Sequence, residues 1–463
     1  MRIFTLVLTV GFLAGGAARG EQAVQRANSV ERIVRYEYPV TNTADKPQDV
    51  RVYLALPRPN ARQEIVFLYP QPGYERIFED EFGNRIAEYC DRGVQPGEVR
   101  RHGWMAAVKT YAAVFHPSAG VEPLGEADRA RYTRDTPKYL ISDPGVTALR
   151  DALIRPGMSD YEKAAAVFHW FVENVTYLRD DKWDTAPEVI QRKQGSCSEY
   201  TYSILSLMRS AGVPCRYTGG VMISTANKTR YDEKVHEDAV FHRWAEVYLK
   251  DYGWFPVDGS RGAGATRRFG NNLHYWGQLT ADGLQTYCGD GGGPLDWDYV
   301  AFARGEVRNS VKTDGVCFWI EAPLERLEPA IQEVNRALEE KMPPATLAKL
   351  AAETLTREVL FLLLDRLDRA RYPQLAEELL KAKHPAAVYL GVYCDRLGVP
   401  MPSFITFPTL TDDYLRSEIL KHRAAGAWDW RSLERWWRKA RPIIAFSEER
   451  RVFVMTTRTI DLN

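Results

Sequence analysis

The alternation of apolar and polar positions changes its period along the chain, and each change marks a different region. From about residue 30 to residue 116 the period is two, in short runs broken by turn residues, as in β-strands. The predicted strands cover residues 32–40, 49–56, 63–69, 74–80, 85–91 and 100–115. Short strands at this spacing predict an N-terminal β-sandwich over residues 21–116. Residues 117–146 have no sustained period and are predicted to form a linker.

Helical spacing, with apolar residues three or four positions apart, follows the linker. Asp160 is predicted to cap a helix that extends to Val175. A second helix is predicted to start near Cys197, after Gly195, and to end before Gly212. The inward-facing stripe of this second helix would contain Cys197, Tyr200, Ile204, Leu207 and Ala211.

The period returns to two beyond the second helix. Strands are predicted at residues 215–223, 240–249 and 254–258, with a polar loop at 225–237 and long glycine-rich loops at 262–293. After residue 321 the composition changes to Ala, Leu, Glu, Arg and Lys with helical spacing. Amphipathic helices are predicted at 324–340, 344–367, 372–382, 386–397 and 411–425, and a final strand at 451–460.

Composition and the N-terminus limit the function classes. The chain has 61 Lys plus Arg and 61 Asp plus Glu, so no net field would attract nucleic acid or an anionic membrane. Arg2, the apolar run at residues 3–13 and the small residues at 17–20 are typical of a secretory signal peptide. The sequence therefore predicts an exported protein, periplasmic or secreted, with no membrane span in the mature chain. A retained signal anchor is the alternative.

The six cysteines are too few for a disulfide scaffold, even in an exported protein. Cys197 starts a predicted helix, and Cys215 lies in an apolar strand and is predicted to be a buried thiol. The other four are candidates for one or two disulfides whose pairing the sequence leaves open: Cys90, Cys288, Cys317 and Cys394.

Three residues in these elements carry candidate chemistry. At the first turn of a helix, Cys197 would lie beside unpaired backbone N–H groups and the positive end of the helix dipole, which favour a thiolate. Alternation in the strand 240–249 puts His242 and Trp244 on one face, and an adjacent antiparallel strand ends at Asp258. A cysteine, a histidine and an aspartate in these contexts match the nucleophile, base and orienting group of thiol catalysis. The alternative for Cys197 is a small buried hydrophobic residue.

The sequence around these residues resembles the transglutaminase-like superfamily. Three segments carry the resemblance, at residues 195–200, 241–248 and 254–258. The end of the preceding helix at residues 175–177 is also similar, and the resemblance covers roughly residues 147–300. It implies a papain-related α+β core whose catalytic triad would be Cys197, His242 and Asp258.

The predicted architecture is therefore α+β, with a papain-like transglutaminase core in which a helix packs on an antiparallel sheet. An N-terminal β-sandwich would precede this core, and a mostly helical region would follow it. The predicted division is a signal peptide at residues 1–20, the sandwich at 21–116, the linker at 117–146, the catalytic core at 147–321 and the helical domain at 322–463.

The resemblance also implies an acyl-enzyme formed on amides, with release of the acyl group to water or to an amine. The backbone N–H of Cys197 and a second donor would hold the oxyanion. Tyr177 and Trp183 are candidates for that donor, and Trp244 is a further candidate for lining the substrate site. No cofactor or metal is predicted. The Cys-x-x-Cys pairs that bind zinc in one branch of the superfamily are absent. Three aspartates are too loosely spaced to form a calcium site: Asp290, Asp296 and Asp298.

The predicted function is a thiol-dependent hydrolase of amide bonds, a peptidase or amidase acting on proteins, peptides or peptidoglycan stem peptides. The C-terminal helices are a candidate surface for a protein partner. Hydrolysis is expected to dominate, because the loop 225–237 mixes both charge signs and no acidic cluster predicts a lysine-binding groove. The alternatives are a protein-glutamine gamma-glutamyltransferase, a catalytically silent binding or scaffolding protein, and a zinc enzyme that uses the triad residues as ligands.

Overall fold

The structure is a computed structural model that describes residues 23–456 apart from short gaps. The gaps are residues 72, 181, 224–235, 239–240, 270–274, 322–323, 354–366, 368, 425–426, 430–431, 434–435, 438–439 and 441–442. The predicted signal peptide and most of the predicted polar loop at 225–237 lie outside the described residues.

Six strands form the N-terminal region. They are β1 (Ala23–Asn42), β2 (Gln48–Leu56), β3 (Gln63–Pro70), β4 (Arg76–Glu79), β5 (Arg85–Val94) and β6 (Val99–His116). The predicted strands are confirmed, and β1 starts earlier than predicted because its first residues pair with the far end of β6. The antiparallel register of this long pair puts Arg32 opposite Val108 and Val40 opposite Arg100.

Two helices lie in and beside the stretch predicted to be a linker, α1 (Glu126–Thr133) and α2 (Pro144–Leu153). The sequence pattern does not predict α1, because this helix buries only Tyr132 and so has almost no apolar stripe. The start of α2 is capped by Asp143, whose carboxylate accepts hydrogen bonds from the backbone N–H groups of Gly145 and Val146.

The central region contains both helices and strands, and it has a sheet of its own. Its elements are α3 (Asp160–Asn174), β7 (Thr176–Tyr177), α4 (Ala186–Arg192), β8 (Gln194–Gly195), α5 (Cys197–Ser210), β9 (Cys215–Met222), β10 (His236–Asp238), β11 (Phe241–Leu249), β12 (Gly253–Val257), α6 (Gly259–Phe269), β13 (Gln278–Leu279) and β14 (Gly283–Gly289). Four of the strands form an antiparallel sheet in the order β12-β11-β9-β14, and α5 packs against it. The predicted α+β core, a helix on an antiparallel sheet, is confirmed.

Helix α5 is the most enclosed helix of this core. Every residue from Cys197 to Arg209 is buried, so the helix is covered on all sides and not only along the predicted stripe. The sheet covers one side, while α2, α3, α4 and α6 contact the others. The polar residues of α5 are therefore held inside the protein, where they need hydrogen-bond partners.

Two local predictions in the core are wrong. Ser159, not Asp160, caps α3, because its hydroxyl and the Glu162 carboxylate satisfy each other's backbone N–H groups in a capping box. The glycine-rich stretch 262–293 is not a run of long loops, since it contains most of α6 and all of β14. Glycine allows close packing at the first residue of α6, because a Cβ on Gly259 would lie 2.7 Å from Ile204 Cδ1 of α5.

The chain then returns to the N-terminal strands with β15 (Ala301–Gly305), β16 (Val311–Thr313) and β17 (Val316–Glu321). One sheet has the order β10-β17-β1-β6-β13, with β16 also on β1 and β3 also on β6. The other has the order β15-β2-β5-β4. The predicted boundary of the catalytic core at residue 321 does not follow this pairing, because residues 301–321 complete the two N-terminal sheets.

The C-terminal region is mostly helical, as predicted. Its elements are α7 (Leu324–Glu339), α8 (Pro344–Glu353), α9 (Tyr372–Lys381), α10 (Ala386–Leu397), α11 (Phe407–Leu410) and α12 (Asp413–Leu420), with short strands β18 (Arg423–Ala424), β19 (Ala427–Trp428), β20 (Ile444–Ser447) and β21 (Val452–Met455). The predicted helix at 411–425 therefore ends early. These elements share a hydrophobic core with Ile33, Met105 and Ala107, so they pack on the outer face of β1 and β6.

All six cysteines lie among the described residues, and none of them forms a disulfide. The expectation of one or two bridges among Cys90, Cys288, Cys317 and Cys394 is therefore wrong. Three of these four thiols are buried at separate places in the hydrophobic cores, where apolar packing and not pairing accounts for them. Separately, the described part of the chain contains no helix with the length and hydropathy required to cross a bilayer.

Candidate active site

The first turn of α5 is anchored by a buried carboxylate. Cys197 is the first residue of the helix and Ser196 is its N-cap. Glu199, which is fully buried, accepts hydrogen bonds from the backbone N–H groups of Ser196 (2.7 Å) and Asp184 (3.2 Å). The guanidinium of Arg192 pairs with the same carboxylate. These contacts hold the backbone at Cys197 in one conformation.

The candidate base and its orienting group come from the sheet next to α5. His242 is the second residue of β11, and Asp258 directly follows β12, which pairs with β11. His242 Nε2 lies 2.6 Å from Asp258 Oδ2, and both side chains are buried. Asp258 Oδ1 also accepts from Ser260 Oγ and from the backbone N–H of Arg261, each at 3.1 Å. The carboxylate is therefore held on both of its oxygens.

The Cys197 thiol contacts the other side of the same imidazole. Burial opposes ionisation of the thiol, but the hydrogen bond and charge of His242 and the backbone N–H of Arg243 together hold the Cys197 pKa below its ordinary value. The structure therefore brings together all three residues that the sequence predicts as a triad, in the order Cys197, His242 and Asp258.

The imidazole is held in its charged form. Burial alone would lower the pKa of His242, but the Asp258 carboxylate outweighs burial and raises that pKa to about 9. Burial likewise opposes ionisation of Asp258, yet the charge of His242 keeps the Asp258 pKa below its usual range. The lowered pKa of Cys197 and the raised pKa of His242 both favour a thiolate beside an imidazolium, and the lowered pKa of Asp258 favours a carboxylate beside them.

Iodoacetamide is expected to modify Cys197 faster than any other cysteine at pH 6 to 7. A thiolate is the reacting species, and burial raises the pKa of Cys215 to about 11 and raises the pKa values of Cys90 and Cys288. His242→Ala should slow the labelling, since it removes the positive charge beside the sulfur. Peptide mapping of labelled protein measures this. Equal labelling of all reactive cysteines, unchanged in His242→Ala, would contradict a thiolate at Cys197.

Cys197 lies in the wall of a cavity of about 370 Å³. One part of the wall comes from the segment before α5 and carries Tyr177, Arg179, Lys182 and Trp183. Another part comes from the N-terminal sheets, from the first residue of β11 and from the segment that follows β14. Its residues are Tyr36, Tyr38, Phe241, Asp298, Tyr299, Val300, Ala301, Thr313 and Gly315. A substrate in this cavity would therefore contact both the core and the sandwich strands.

The sequence predicts three further site residues as oxyanion donors or substrate contacts, and only two of them line the cavity. Tyr177 and Trp183 both line the cavity with Cys197, which keeps them as candidates for an oxyanion donor or a substrate contact. Trp244 is buried and does not line the cavity; its ring stacks on the His242 imidazole with the two ring centres 6.1 Å apart. Trp244 thus covers the imidazole and does not form part of the substrate surface.

Sequence reasoning missed two features of the site. Arg243 is fully buried behind Cys197, and its guanidinium lies 4.4 to 5.0 Å from the ring centres of Tyr299, Tyr217, Tyr202 and Trp183. Asp298 lines the cavity, although no local sequence pattern separates it from other scattered acidic residues. Arg243 lies directly after His242 in the segment 241–248 that resembles the superfamily, and this position is the sequence feature that could have identified it. The sequence around Asp298 has no comparable feature.

A family model agrees with this geometry. Residues 147–259 match the transglutaminase-like superfamily, a segment that contains all three triad residues. This part of the chain is therefore similar to the transglutaminase-like superfamily.

Two curated proteins are similar in sequence over part of their length. YebA of Bacillus subtilis, described as uncharacterized, is 25% identical over 190 residues, which are 36% of this chain and 25% of YebA. An uncharacterized protein of Haemophilus influenzae is 28% identical over 149 residues, 28% of this chain and 40% of that protein. The chain thus spans well under half the length of these relatives.

Solved structures are similar to it at low sequence identity. A proposed cysteine protease from Cytophaga hutchinsonii is 15% identical, with a TM-score of 0.45 over 65% of this chain and 94% of that one. The periplasmic domain of TgpA from Pseudomonas aeruginosa is also 15% identical, with a TM-score of 0.28 over 52% of this chain and 76% of that domain.

Proposed function

We propose that the protein is a thiol-dependent hydrolase of amide bonds, a peptidase or amidase. The observation that carries the proposal is that one imidazole, His242, contacts both the Cys197 thiol and the Asp258 carboxylate at the wall of a cavity. Thiol catalysis requires this combination of an ionised sulfur, a proton carrier and a group that orients the carrier.

In the first half-reaction the Cys197 sulfur would attack the carbonyl carbon of the substrate amide. The C–N bond then breaks as the His242 imidazolium donates its proton to the leaving nitrogen, which departs as an amine. Asp258 remains ionised, and its bond to Nε2 keeps the opposite ring nitrogen directed at the sulfur and substrate. The product of this step is a thioester of Cys197.

In the second half-reaction water attacks the thioester carbon. Neutral His242 accepts a proton from that water, the C–S bond breaks, and the product leaves as a carboxylic acid. The electron pair of the C–S bond stays on sulfur, so Cys197 leaves as a thiolate beside the imidazolium and the starting pair is restored. No step requires a cofactor.

The oxyanion of each tetrahedral intermediate would be held by the backbone N–H of Cys197. As the first residue of α5, Cys197 has an N–H with no acceptor inside the helix, and the helix dipole adds positive potential there. Tyr177 and Trp183 are the proposed sources of the second donor, since both side chains line the cavity.

The proposed substrates are proteins, peptides or peptidoglycan stem peptides outside the cytoplasm. The experiment that tests the function is mass spectrometry of products from a library of peptides and cell-wall peptides, incubated with wild-type protein and with Cys197→Ala. Cleavage at amide bonds by the wild type alone supports the hydrolase. Absence of any product together with slow labelling of Cys197 would instead favour the catalytically silent binding protein.

Transfer of the acyl group to an amine is the second candidate, as in a protein-glutamine gamma-glutamyltransferase. The observation in its favour is Asp298, because a carboxylate in the cavity offers a partner for a protonated amine. Water at tens of molar competes with any such amine unless the site excludes it.

A free carboxylate is expected to remain the main product when a labelled primary amine is added at millimolar concentration. A cavity of about 370 Å³ leaves room for water beside the thioester, and Asp298 is the one carboxylate that lines it among the described residues. Liquid chromatography of the labelled and unlabelled products measures the ratio. If most of the acyl groups carried the amine label, hydrolysis would be the side reaction and the protein would be an acyltransferase.

A further inference from the structure

We propose that the cavity beside Cys197 selects amide substrates that carry a primary ammonium group, and that Asp298 binds this ammonium. The ammonium belongs to a lysine-like side chain or to the amino terminus of a peptide. The proposal rests on the proposed amide hydrolysis and adds the substrate class that the same site accepts.

The backbone of Asp298 is held in place by hydrogen bonds, whereas its carboxylate is uncommitted. The backbone N–H of Asp298 donates to the Leu295 carbonyl at 2.9 Å, and its carbonyl accepts from Tyr217 Oη at 3.2 Å. Within the described residues, no hydrogen-bond donor or ion-pair partner lies at its carboxylate. Asp298 lines the cavity, and its carboxylate oxygens keep their acceptor capacity for a ligand bound there.

Three tyrosines line the cavity close enough to Asp298 for its charge to act on them. Tyr36, Tyr38 and Tyr299 line the same cavity, and the rings of Tyr36 and Tyr38 stack with centres 6.1 Å apart. Tyr299 reaches this position because Gly219 of β9 has no side chain; a Cβ there would lie 2.3 Å from the Tyr299 ring. A carboxylate beside aromatic faces is the arrangement that binds organic cations, through ion pairing and cation–π attraction.

Two neighbouring charges of opposite sign act on the Asp298 carboxylate. Arg243 is the nearest cation, but its guanidinium donates to Tyr202 Oη and the Trp297 carbonyl and lies among four aromatic rings. Asp296, exposed on the same segment, adds negative charge. Burial raises the pKa of Asp298 to about 7, and a bound ammonium would offset the loss of hydration that causes this.

Side chains of both charge signs line the cavity. Arg179 and Lys182 lie on the wall that carries Tyr177, whereas Asp298 lies on the wall that carries Tyr299. Both Tyr177 and Tyr299 are close enough to Cys197 for its charge to affect their pKa values. Asp298 would attract an ammonium on the substrate, whereas Arg179 and Lys182 would repel it, so the ammonium would fix the direction in which the amide crosses the sulfur.

A metal cation is a poorer match than an ammonium. Calcium and magnesium take six or more oxygen ligands, mostly carboxylates, carbonyls and water. Only one carboxylate lines this cavity among the described residues, and the remaining polar side chains of the lining are hydroxyls and cations, which are poor ligands for a metal ion. One carboxylate with several aromatic rings fits a single –NH₃⁺ group better.

The test compares tetrapeptides that contain lysine with the same peptides that contain Nε-acetyl-lysine, each made with a free or an acetylated amino terminus. The wild type should show about tenfold or higher kcat/KM for the ammonium form, the scale of a charge-assisted hydrogen bond. Asp298→Asn should bring the ratio close to one. Asp296→Asn is the matched control, because it removes an equal charge two residues away at an exposed position and should keep the wild-type ratio. The peptide arms distinguish a lysine side chain from an amino terminus.

Two additional readouts separate this proposal from the hydrolase itself. Binding of the same peptides to Cys197→Ala, measured by calorimetry, tests ammonium selection without turnover. Asp298-dependent binding of lysine peptides with no cleavage by the wild type would leave the selection standing and overturn the hydrolase. Cleavage of lysine and acetyl-lysine peptides by the wild type with equal kcat/KM would support the hydrolase and overturn the selection of an ammonium group.

The dependence on pH gives the final criterion. The ratio should rise between pH 6 and pH 8, because Asp298 gains its charge over that range while a lysine ammonium keeps its own. Asp298→Asn should remove the rise. An Asp298-dependent effect on amine incorporation alone, with no effect on which amide is cleaved, would assign Asp298 to an acceptor amine and overturn the proposal.

Discussion

Cys197→Ala and His242→Ala are each expected to reduce kcat/KM by about 10⁴-fold or more on any amide the protein cleaves. Both residues serve the same acyl-transfer step, so the double variant should lose little beyond either single one. Asp258→Asn should lose less, because the nucleophile and base remain while the orientation and charge of the imidazole weaken. Steady-state kinetics on the four proteins, with circular dichroism to check folding, measures these losses.

The pH profile of the wild type provides an internal control for these substitutions. Activity should fall above about pH 9, where His242 loses the proton that it gives to the leaving amine. It should persist below the roughly 8.5 of an ordinary thiol, because the Cys197 pKa is lowered. In Asp258→Asn the alkaline limit should move to lower pH, since the carboxylate that raises the His242 pKa is gone. Wild-type activity in Cys197→Ala would disprove the triad.

Asp290→Asn is expected to lower the free energy of unfolding by about 3 kcal/mol, the scale for leaving a buried charge without its partner. Asp290 is fully buried and pairs with Arg209 at 3.4 Å and with Arg134 at 2.9 Å. Arg209 on α5 is equally buried, so it cannot recover its hydration when the carboxylate is removed. Unfolding in urea, followed by tryptophan fluorescence, measures the change.

Arg134→Met and Asp296→Asn are the matched controls for that prediction. Arg134 is 44% exposed in its side chain, so its loss should cost less than the loss of Asp290. Asp296 is exposed, and Asp296→Asn should change the free energy of unfolding by no more than about 0.5 kcal/mol. Equal effects of all three substitutions would show that the buried pair on α5 contributes nothing particular to stability.

The strands and the long helices were predictable because each buries one face, and burial imposes a period on the sequence. β2 and α10 illustrate this: the predicted ranges 49–56 and 386–397 agree with the structure to within one residue. α1 was not predictable, since a helix that buries only Tyr132 leaves almost no period. α6 was missed because its glycines read as turn residues, whereas Gly259 serves contact with α5.

The residues of the candidate site also divide into those that the sequence predicts and those that it does not. Cys197, His242 and Asp258 could be predicted, because each lies in a short segment whose local pattern restricts its chemistry. Asp298 could not, because its role depends on which distant residues surround it. Tyr36 and Tyr38 reach the cavity only through the pairing of β1 with strands near residue 315, and no local pattern contains that pairing.

The return of the chain to its first sheets has a consequence for the order of folding. β1 cannot acquire its neighbour β17 until residue 321 has been made, since Arg32 pairs with Glu321. Closing so long a loop is entropically costly and slow compared with local contacts. The walls that face Cys197 from this side, at Tyr36, Thr313 and Gly315, therefore come together late. The thiol belongs to a helix that can form early, but the cavity around it is completed only when nearly the whole sandwich has assembled, so a nascent or truncated chain would carry the nucleophile without a substrate site.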